Sequence, residues 1–201
     1  MTQRKGLLLV TMEAAAGNEE EFNDWYDTEH FPQRRALPGF ESATRWVCLA
    51  GWPRWLALYD MASVDAVETP DYLAVSAANS TPWSRRMLPR TVGRSRVVAE
   101  QVVPGQAAAL DPAKVSRLLL AGFADVPSGQ IADLTTDLAR KAEQTEGLAQ
   151  CRLFRGVGAA TVWMLAEFDR PVTAEPLSQQ FGHAAGIGAR QLNLYAPYHR
   201  G

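Results

Sequence analysis

LPGFESATRW, residues Leu37 to Trp46, reads against a second stretch of the same chain, TEGLAQCRLF, residues Thr145 to Phe154. Each places a turn glycine, Gly39 or Gly147, ahead of a run with strand character, and the two glycines stand 108 positions apart. RWLALYD (Arg54 to Asp60) and VWMLAEFD (Val162 to Asp169) come next, and matching Trp55 with Trp163 gives the same spacing of 108. A constant spacing across two consecutive strands signals an internal repeat.

Working outward, each half reads strand, helix, strand, strand, helix, strand. GLLLVTME and RLLLAGFADV open the halves as Leu-rich strands, and GRSRVVAEQVV and ARQLNLYAPY close them. SVDAVETPDYLAVSAAN, interrupted at Pro70, and AEPLSQQFGHAA supply the second helices. Between the halves, VVPGQAAALDPAK loses apolar periodicity and reads as a linker. The expected organisation is a first repeat over 1–104, a linker over 105–114 and a second repeat over 115–201. The order βαββαβ is ferredoxin-like. A four-stranded sheet with helices on one face must bury the other, so the expected fold class is α+β, two tandem ferredoxin-like repeats packed sheet to sheet as a pseudo-dimeric α/β barrel. Strand periodicity does not decide whether its interior is a filled core or a ligand pocket.

Composition narrows the function classes. Of 201 residues, 47% are hydrophobic and 21% charged, with a net charge of −2, the profile of a globular protein. The 20 Lys and Arg are offset by 22 Asp and Glu and form no long run, which argues against nucleic acid. Apolar runs such as Leu7 to Val10 are far shorter than a membrane span, and Thr11 and Glu13 interrupt the N-terminal one, so a cytoplasmic protein is expected. Cys48 and Cys151 are too far apart for a metal knuckle.

The chemistry concentrates in EEEFNDWYDTEHFPQRRALPGF, Glu19 to Phe40. Phe22, Trp25, Tyr26, Glu29 and His30 fall on one helical stripe, Asn18 is the N-cap candidate, and Pro32 is expected to end or kink the helix near Phe31. The stripe ends in Glu29 and His30. The matching helix of the second half, SGQIADLTTDLARKAEQTEG, makes do with Ile131, Leu134, Leu138 and Ala142. If the first stripe served only to hold a helix on a sheet, such simpler residues would suffice.

These residues, FNDWYDTEHFPQRRALPGFESATRW followed by WLALYD, resemble the EthD-like members of the dimeric α/β-barrel superfamily, with a W…EH…PGF…R pattern over the first helix and second strand. The resemblance implies ferredoxin-like modules paired into a barrel and places His30 at or near a pocket. Its relatives include polyketide cyclases, muconolactone-type isomerases, cofactor-free monooxygenases and haem-degrading enzymes, so the fold does not choose the reaction.

His30 is the candidate general base or acid, with Glu29, Asp27 or Asp24 to orient it. Tyr26 and Tyr59 are candidates to stabilise an enolate, and Trp25, Trp46 and Trp55 to shape the pocket. Thr44, Trp46, Trp55 and Tyr59 form one candidate face of the second and third strands, with Arg45 on the other parity. NSTPWSRRMLPR is a candidate loop over the pocket mouth, Trp83 and Arg85 contacting ligand. His183 and His199 are isolated; no metal spacing, GxGxxG, P-loop or GxSxG occurs, and no cofactor is expected. The leading expectation is a cofactor-independent lyase, isomerase or cyclase acting by proton transfer on an aromatic or polyketide-like substrate in a barrel pocket. The alternatives are a hydrophobic-ligand-binding or stress-response protein, and a haem-binding or cofactor-free monooxygenase. The expected partner is a small hydrophobic or aromatic substrate, with the chain a monomer or homodimer.

Overall fold

The computed structural model describes residues 4–198, so His199 lies outside the described residues. Eight antiparallel strands close into a barrel. The first half supplies β1 (Gly6–Ala14), β2 (Phe40–Ala50), β3 (Trp55–Met61) and β4 (Thr91–Val103). Its helices are α1 (Glu19–Trp25), α2 (Phe31–Arg35), α3 (Pro70–Ala74) and α4 (Pro82–Met87). The second half supplies β5 (Arg117–Phe123), α5 (Ile131–Glu143), β6 (Leu148–Gly156), β7 (Val162–Phe168), α6 (Ala174–Phe181), a two-stranded ribbon of β8 (His183–Ala184) and β9 (Ile187–Gly188), and β10 (Gln191–Pro197). Around the barrel the order is β1-β3-β2-β10-β5-β7-β6-β4. Each half is thus a contiguous arc of four strands, its fourth strand beside its first, and β2–β10 and β4–β6 pairing joins the arcs.

The spacing of 108 positions holds through the first matched strand. Gly39 and Gly147 both take the left-handed backbone, φ +83° and +76°, that glycine adopts without cost. A register shift follows each at the same place, between Phe40 and Ser42 and between Leu148 and Gln150. One strand later the match slips. Trp46 pairs with Leu56, while its counterpart Phe154 pairs with Trp163, so Trp163 corresponds to Leu56 and not to Trp55. Side chains alternate along a strand, so this one-residue difference sends Trp55 to the outer face and Trp163 inward.

The interior is packed. Leu7, Leu9, Trp46, Leu56, Leu58, Leu118, Leu120, Phe154, Trp163, Leu165 and Tyr195 form one buried cluster. Among them sits Arg152, 1% exposed, in hydrogen-bonded contact with Asp60 and 3.6 Å from Glu167. Asp60 also accepts a hydrogen bond from Ser42 at 3.1 Å. The acids belong to opposite halves, so the one guanidinium ties the two arcs together across the core.

Trp46 is therefore a core residue and its expected place at a ligand is corrected: its indole donates to Thr44 at 2.8 Å inside the barrel. Arg45, of the other parity, shares the outer face with Trp55 and Tyr59. The segment expected as a loop at 79–90 contains α4, with Arg85 and Arg86 exposed. Asn18 precedes α1 but makes no side-chain cap. In α5 the expected stripe holds, with Leu134, Leu138 and Ala142 buried.

Candidate functional site

The helix bearing WYDTEH does not end at Pro32. It passes from α1 through one π-helical turn, Tyr26–His30, into α2, with Pro32 in the first turn of α2. The amide of Phe31 donates to the carbonyl of Tyr26, five residues back. Proline has no N–H to give Thr28 and its ring would crowd that carbonyl in a regular helix, and the wider turn relieves both problems. The helix continues past the proline rather than stopping. Isolated π-turns of this kind recur at functional sites.

The turn aims each motif residue at a different partner. Trp25 and Tyr26 are buried against β1 and β3 with Phe22. The Trp25 indole donates to Ser84 of α4 at 3.0 Å, and Glu29 accepts from Thr81 at 2.5 Å and from Ser84 at 3.2 Å. Glu29 thus fastens α4 to this helix. Asp27 pairs with Arg45, which also donates to Asn23 at 2.9 Å and lies over the rings of Tyr26, Tyr198 and Trp55 at 4.3, 4.6 and 5.0 Å. The expected orienting role of Asp27 or Glu29 toward His30 is corrected accordingly: both carboxylates have other partners.

His30 stands apart from this network. Its ring lies 4.5 Å from that of Trp25 and 5.2 Å from that of Tyr26, and its Nδ1 is buried without a hydrogen-bond partner among the described residues. Burial, reinforced by the positive charges of Arg34 and Arg45, lowers its pKa to about 3. The imidazole is neutral at physiological pH.

His30 forms part of the wall of a cavity of about 460 Å³ between this helix, the 64–90 segment and the outer face of the first arc. Leu8, Val10 and Met12 of β1 and Tyr59 of β3 make its floor. The barrel register lays them side by side, with Leu8 opposite Tyr59 and Val10 opposite Arg96. Val67, Tyr72, Leu73, Ser76, Ala77 and Ser80 come from the 64–90 segment, Arg34 from α2, and Arg94 and Arg96 from β4. The Tyr72 hydroxyl accepts from Arg96 at 3.1 Å, leaving its own proton to donate. Tyr59 and Tyr26 approach at 3.4 Å between hydroxyls, and burial raises the pKa of both above the ordinary phenol value.

Of the residues singled out in the sequence, His30 and Tyr59 line this cavity. Tyr26 and Trp25 lie behind them, Trp55 meets Tyr198 edge to face at 4.9 Å outside it, Trp83 belongs to α4 and packs against the same outer-face cluster, and Arg85 is exposed. Sequence reasoning missed Arg34, Tyr72, Arg94 and Arg96. The alternation Arg94, Arg96, Val98 in GRSRVV was a legible signal that two arginines share one face of their strand. A second hollow of about 460 Å³ is lined in part by Asp27, Arg45 and Tyr198, and there Arg45 and Asp27 already pair with each other. Among the described residues no group of His, Cys, Asp and Glu is arranged to hold a metal ion, and no helix is long and apolar enough to cross a membrane.

No protein-family model and no curated protein matches the sequence. Solved structures do match, over nearly the whole chain. An anthrone oxidase-like protein superposes with a TM-score of 0.61 at 13% identity, covering 98% of this chain and 92% of that one. A mutant chlorite dismutase from Candidatus Nitrospira defluvii gives 0.60 at 7% identity, over 99% and 92%. A haem-binding protein from Thermus thermophilus gives 0.57 at 10% identity, over 98% and 92%. At such identities the likeness concerns the fold alone.

Proposed function

We propose that the chain is a cofactor-independent enzyme that removes a proton from an enolisable aromatic or polyketide-like substrate, within a fold of two tandem ferredoxin-like repeats, 1–104 and 115–201 joined by 105–114. The site is the outer-face cavity rather than the barrel interior. One observation carries the reading: His30 is the one imidazole among the residues lining that cavity, and no carboxylate lines it to compete.

In the derived step, an imidazole nitrogen of His30 takes the proton from a carbon next to the substrate carbonyl, and the C–H electron pair moves onto the carbonyl oxygen as an enolate. A low pKa makes the free imidazole a weak base. The enolate formed beside it offsets the positive field of Arg34, so imidazolium and enolate form as a stabilised pair. Tyr72 and Tyr59 are phenol donors in the same wall, positioned to bond the developing oxyanion in a mostly apolar surround. The anthrone oxidase-like neighbour supports an enolisable aromatic ketone as the model substrate.

Haem-binding and chlorite dismutase neighbours raise the alternative of a haem site. His30 is the one imidazole on the cavity that could ligate a haem iron, and no described group holds its Nδ1 in the way that a ligating imidazole is usually oriented. His183, on the small ribbon, is exposed.

The test is deuterium exchange of the anthrone methylene in D2O, followed by NMR with native protein and His30→Ala. The native protein is expected to accelerate exchange, and the variant to lose about a hundredfold or more of it. Equal exchange by both, or a Soret band on stoichiometric haem addition that vanishes in His30→Ala, overturns the proposal.

A further inference from the structure

Arg34 is 6% exposed, yet its described partners are neutral: the side-chain oxygen of Gln33 at 2.9 Å and the backbone carbonyl of Val75 at 2.6 Å. Tyr72 lies under it, 5.6 Å from the guanidinium carbon to the ring centre. Arg96, across the cavity, bonds only the Tyr72 hydroxyl among its described partners and lies 5.7 Å from the same ring. Arg94, two residues before it on β4, lines the same cavity. None of the three forms an ion pair among the described residues, whereas Arg45 and Arg152, the other deeply buried arginines, each meet a carboxylate.

A guanidinium taken out of water without a counter-charge is costly, so a buried, uncompensated arginine beside two more on a cavity wall calls for an anion from outside the chain. We propose that Arg34, Arg94 and Arg96 form a carboxylate subsite, and that the substrate is a flat aromatic or polyketide-derived acid whose carboxylate sits among them while its ring system lies on Leu8, Val10 and Tyr59. This rests on the reading of the cavity as the substrate site and adds the class of substrate. The planar fork of arginine matches a carboxylate with two hydrogen bonds, and Tyr72, held between Arg34 and Arg96, offers the ring of the ligand an aromatic wall. A neutral ketone would leave Arg34 buried and unmatched, so selectivity for the acid follows from the protein's own unpaired charge.

The experiment is calorimetric titration with hydroxynaphthoate, naphthol and naphthyl phosphate, on the native chain and on Arg94→Gln, Arg96→Gln and the double variant. Both substituted arginines are exposed, so the variants are expected to fold, with circular dichroism as the check. The native protein is expected to bind hydroxynaphthoate at least tenfold more tightly than naphthol, less so at high salt, with the preference falling about tenfold in the double variant. Arg34→Gln, read the same way, is expected to lose the acid preference while still binding naphthol. Equal binding of acid and naphthol overturns the carboxylate subsite while leaving the cavity as a ligand site. Tighter binding of naphthyl phosphate overturns the choice of carboxylate, and binding of none of the probes overturns both readings together.

Discussion

The ring of His30 rests on the indole of Trp25, centroids 4.5 Å apart and planes tilted by 35°, while that indole's own N–H is committed to Ser84 at 3.0 Å. The two residues are one device. Trp25 is fixed by packing and a hydrogen bond, and it fixes in turn the imidazole that borders the cavity, with no carboxylate needed to orient it.

Because burial holds the His30 pKa near 3, its protonation is not expected to shape the pH dependence of activity around neutrality. Rate against pH for proton exchange is expected to show no inflection near 6.5, the value of a free histidine. Stability is affected in the acid range. A pKa depressed in the folded state contributes stability above the unfolded value of 6.5 and loses it as pH falls toward 3. His30→Phe is therefore expected to unfold with a shallower acid dependence between those limits in urea titrations at a series of pH values, and an unchanged slope would contradict the buried neutral imidazole.

The wall opposite the floor depends on Glu29. Its hydrogen bonds to Thr81 and Ser84 hold α4, and Thr81 also caps that helix by accepting from the Ser84 amide at 3.0 Å. Glu29→Ala removes both side-chain bonds at once and is expected to cost about 1–3 kcal/mol. Hydrogen exchange of amides in 81–87 should quicken in the variant while the β5–β7 amides stay protected. Uniform quickening across the chain would show that Glu29 supports the whole fold rather than this wall.

How much of this was legible beforehand depends on which physical rule governs each feature. Strand order followed from apolar runs and turn glycines, and the stripe of α5 from its regular period, because local pattern decides both. The π-turn at Tyr26–His30 was hidden, since the spacing of Phe22, Trp25 and Tyr26 fits an ordinary helix and only Pro32 hints at the wider turn. Matching Trp55 to Trp163 failed because the eye follows the tryptophan while the pairing register follows backbone count. That one-residue slip decides which face each indole occupies. Arg34 was missed for a different reason: nothing local in FPQRR tells which of two adjacent arginines lies buried beside Tyr72.

Arg45 anchors the other side of the π-turn. Its guanidinium meets Asp27 and Asn23 and is enclosed by Tyr26, Trp55 and Tyr198. Lysine keeps the charge but lacks the planar fork and stacks poorly, so Arg45→Lys is expected to cost about 1–2 kcal/mol, and Arg45→Met about 3 kcal/mol because it removes the Arg45–Asp27 ion pair. Equilibrium unfolding of the two variants checks the order. A methionine variant more stable than the lysine one would show that aromatic packing, not charge, holds the turn.

The core triad gives the last prediction. Arg152 makes its closer contact with Asp60, while Glu167 stands 3.6 Å away with one carboxylate oxygen lacking any hydrogen-bond partner among the described residues. Burial is the leading influence on Glu167; the attraction of Arg152 offsets it only in part and Asp60 adds repulsion, so its pKa rises from 4.5 to about 7. A folded pKa raised above the unfolded one contributes stability that is complete below 4.5 and is lost as pH rises through 7. The protein is thus expected to be less stable at pH 8 than at pH 5 by about 1–3 kcal/mol from this group alone. Glu167→Gln keeps the shape without the charge and is expected to flatten that dependence and to exceed the native chain in stability at pH 8. Asp60→Asn is expected to cost about 3 kcal/mol, because Arg152 loses its closer carboxylate and is left with Glu167 at 3.6 Å. Urea titrations of the three proteins at pH 5 and 8 decide it: a glutamine variant weaker than the native chain at pH 8 would mean that Glu167 is charged and that both acids hold the arginine.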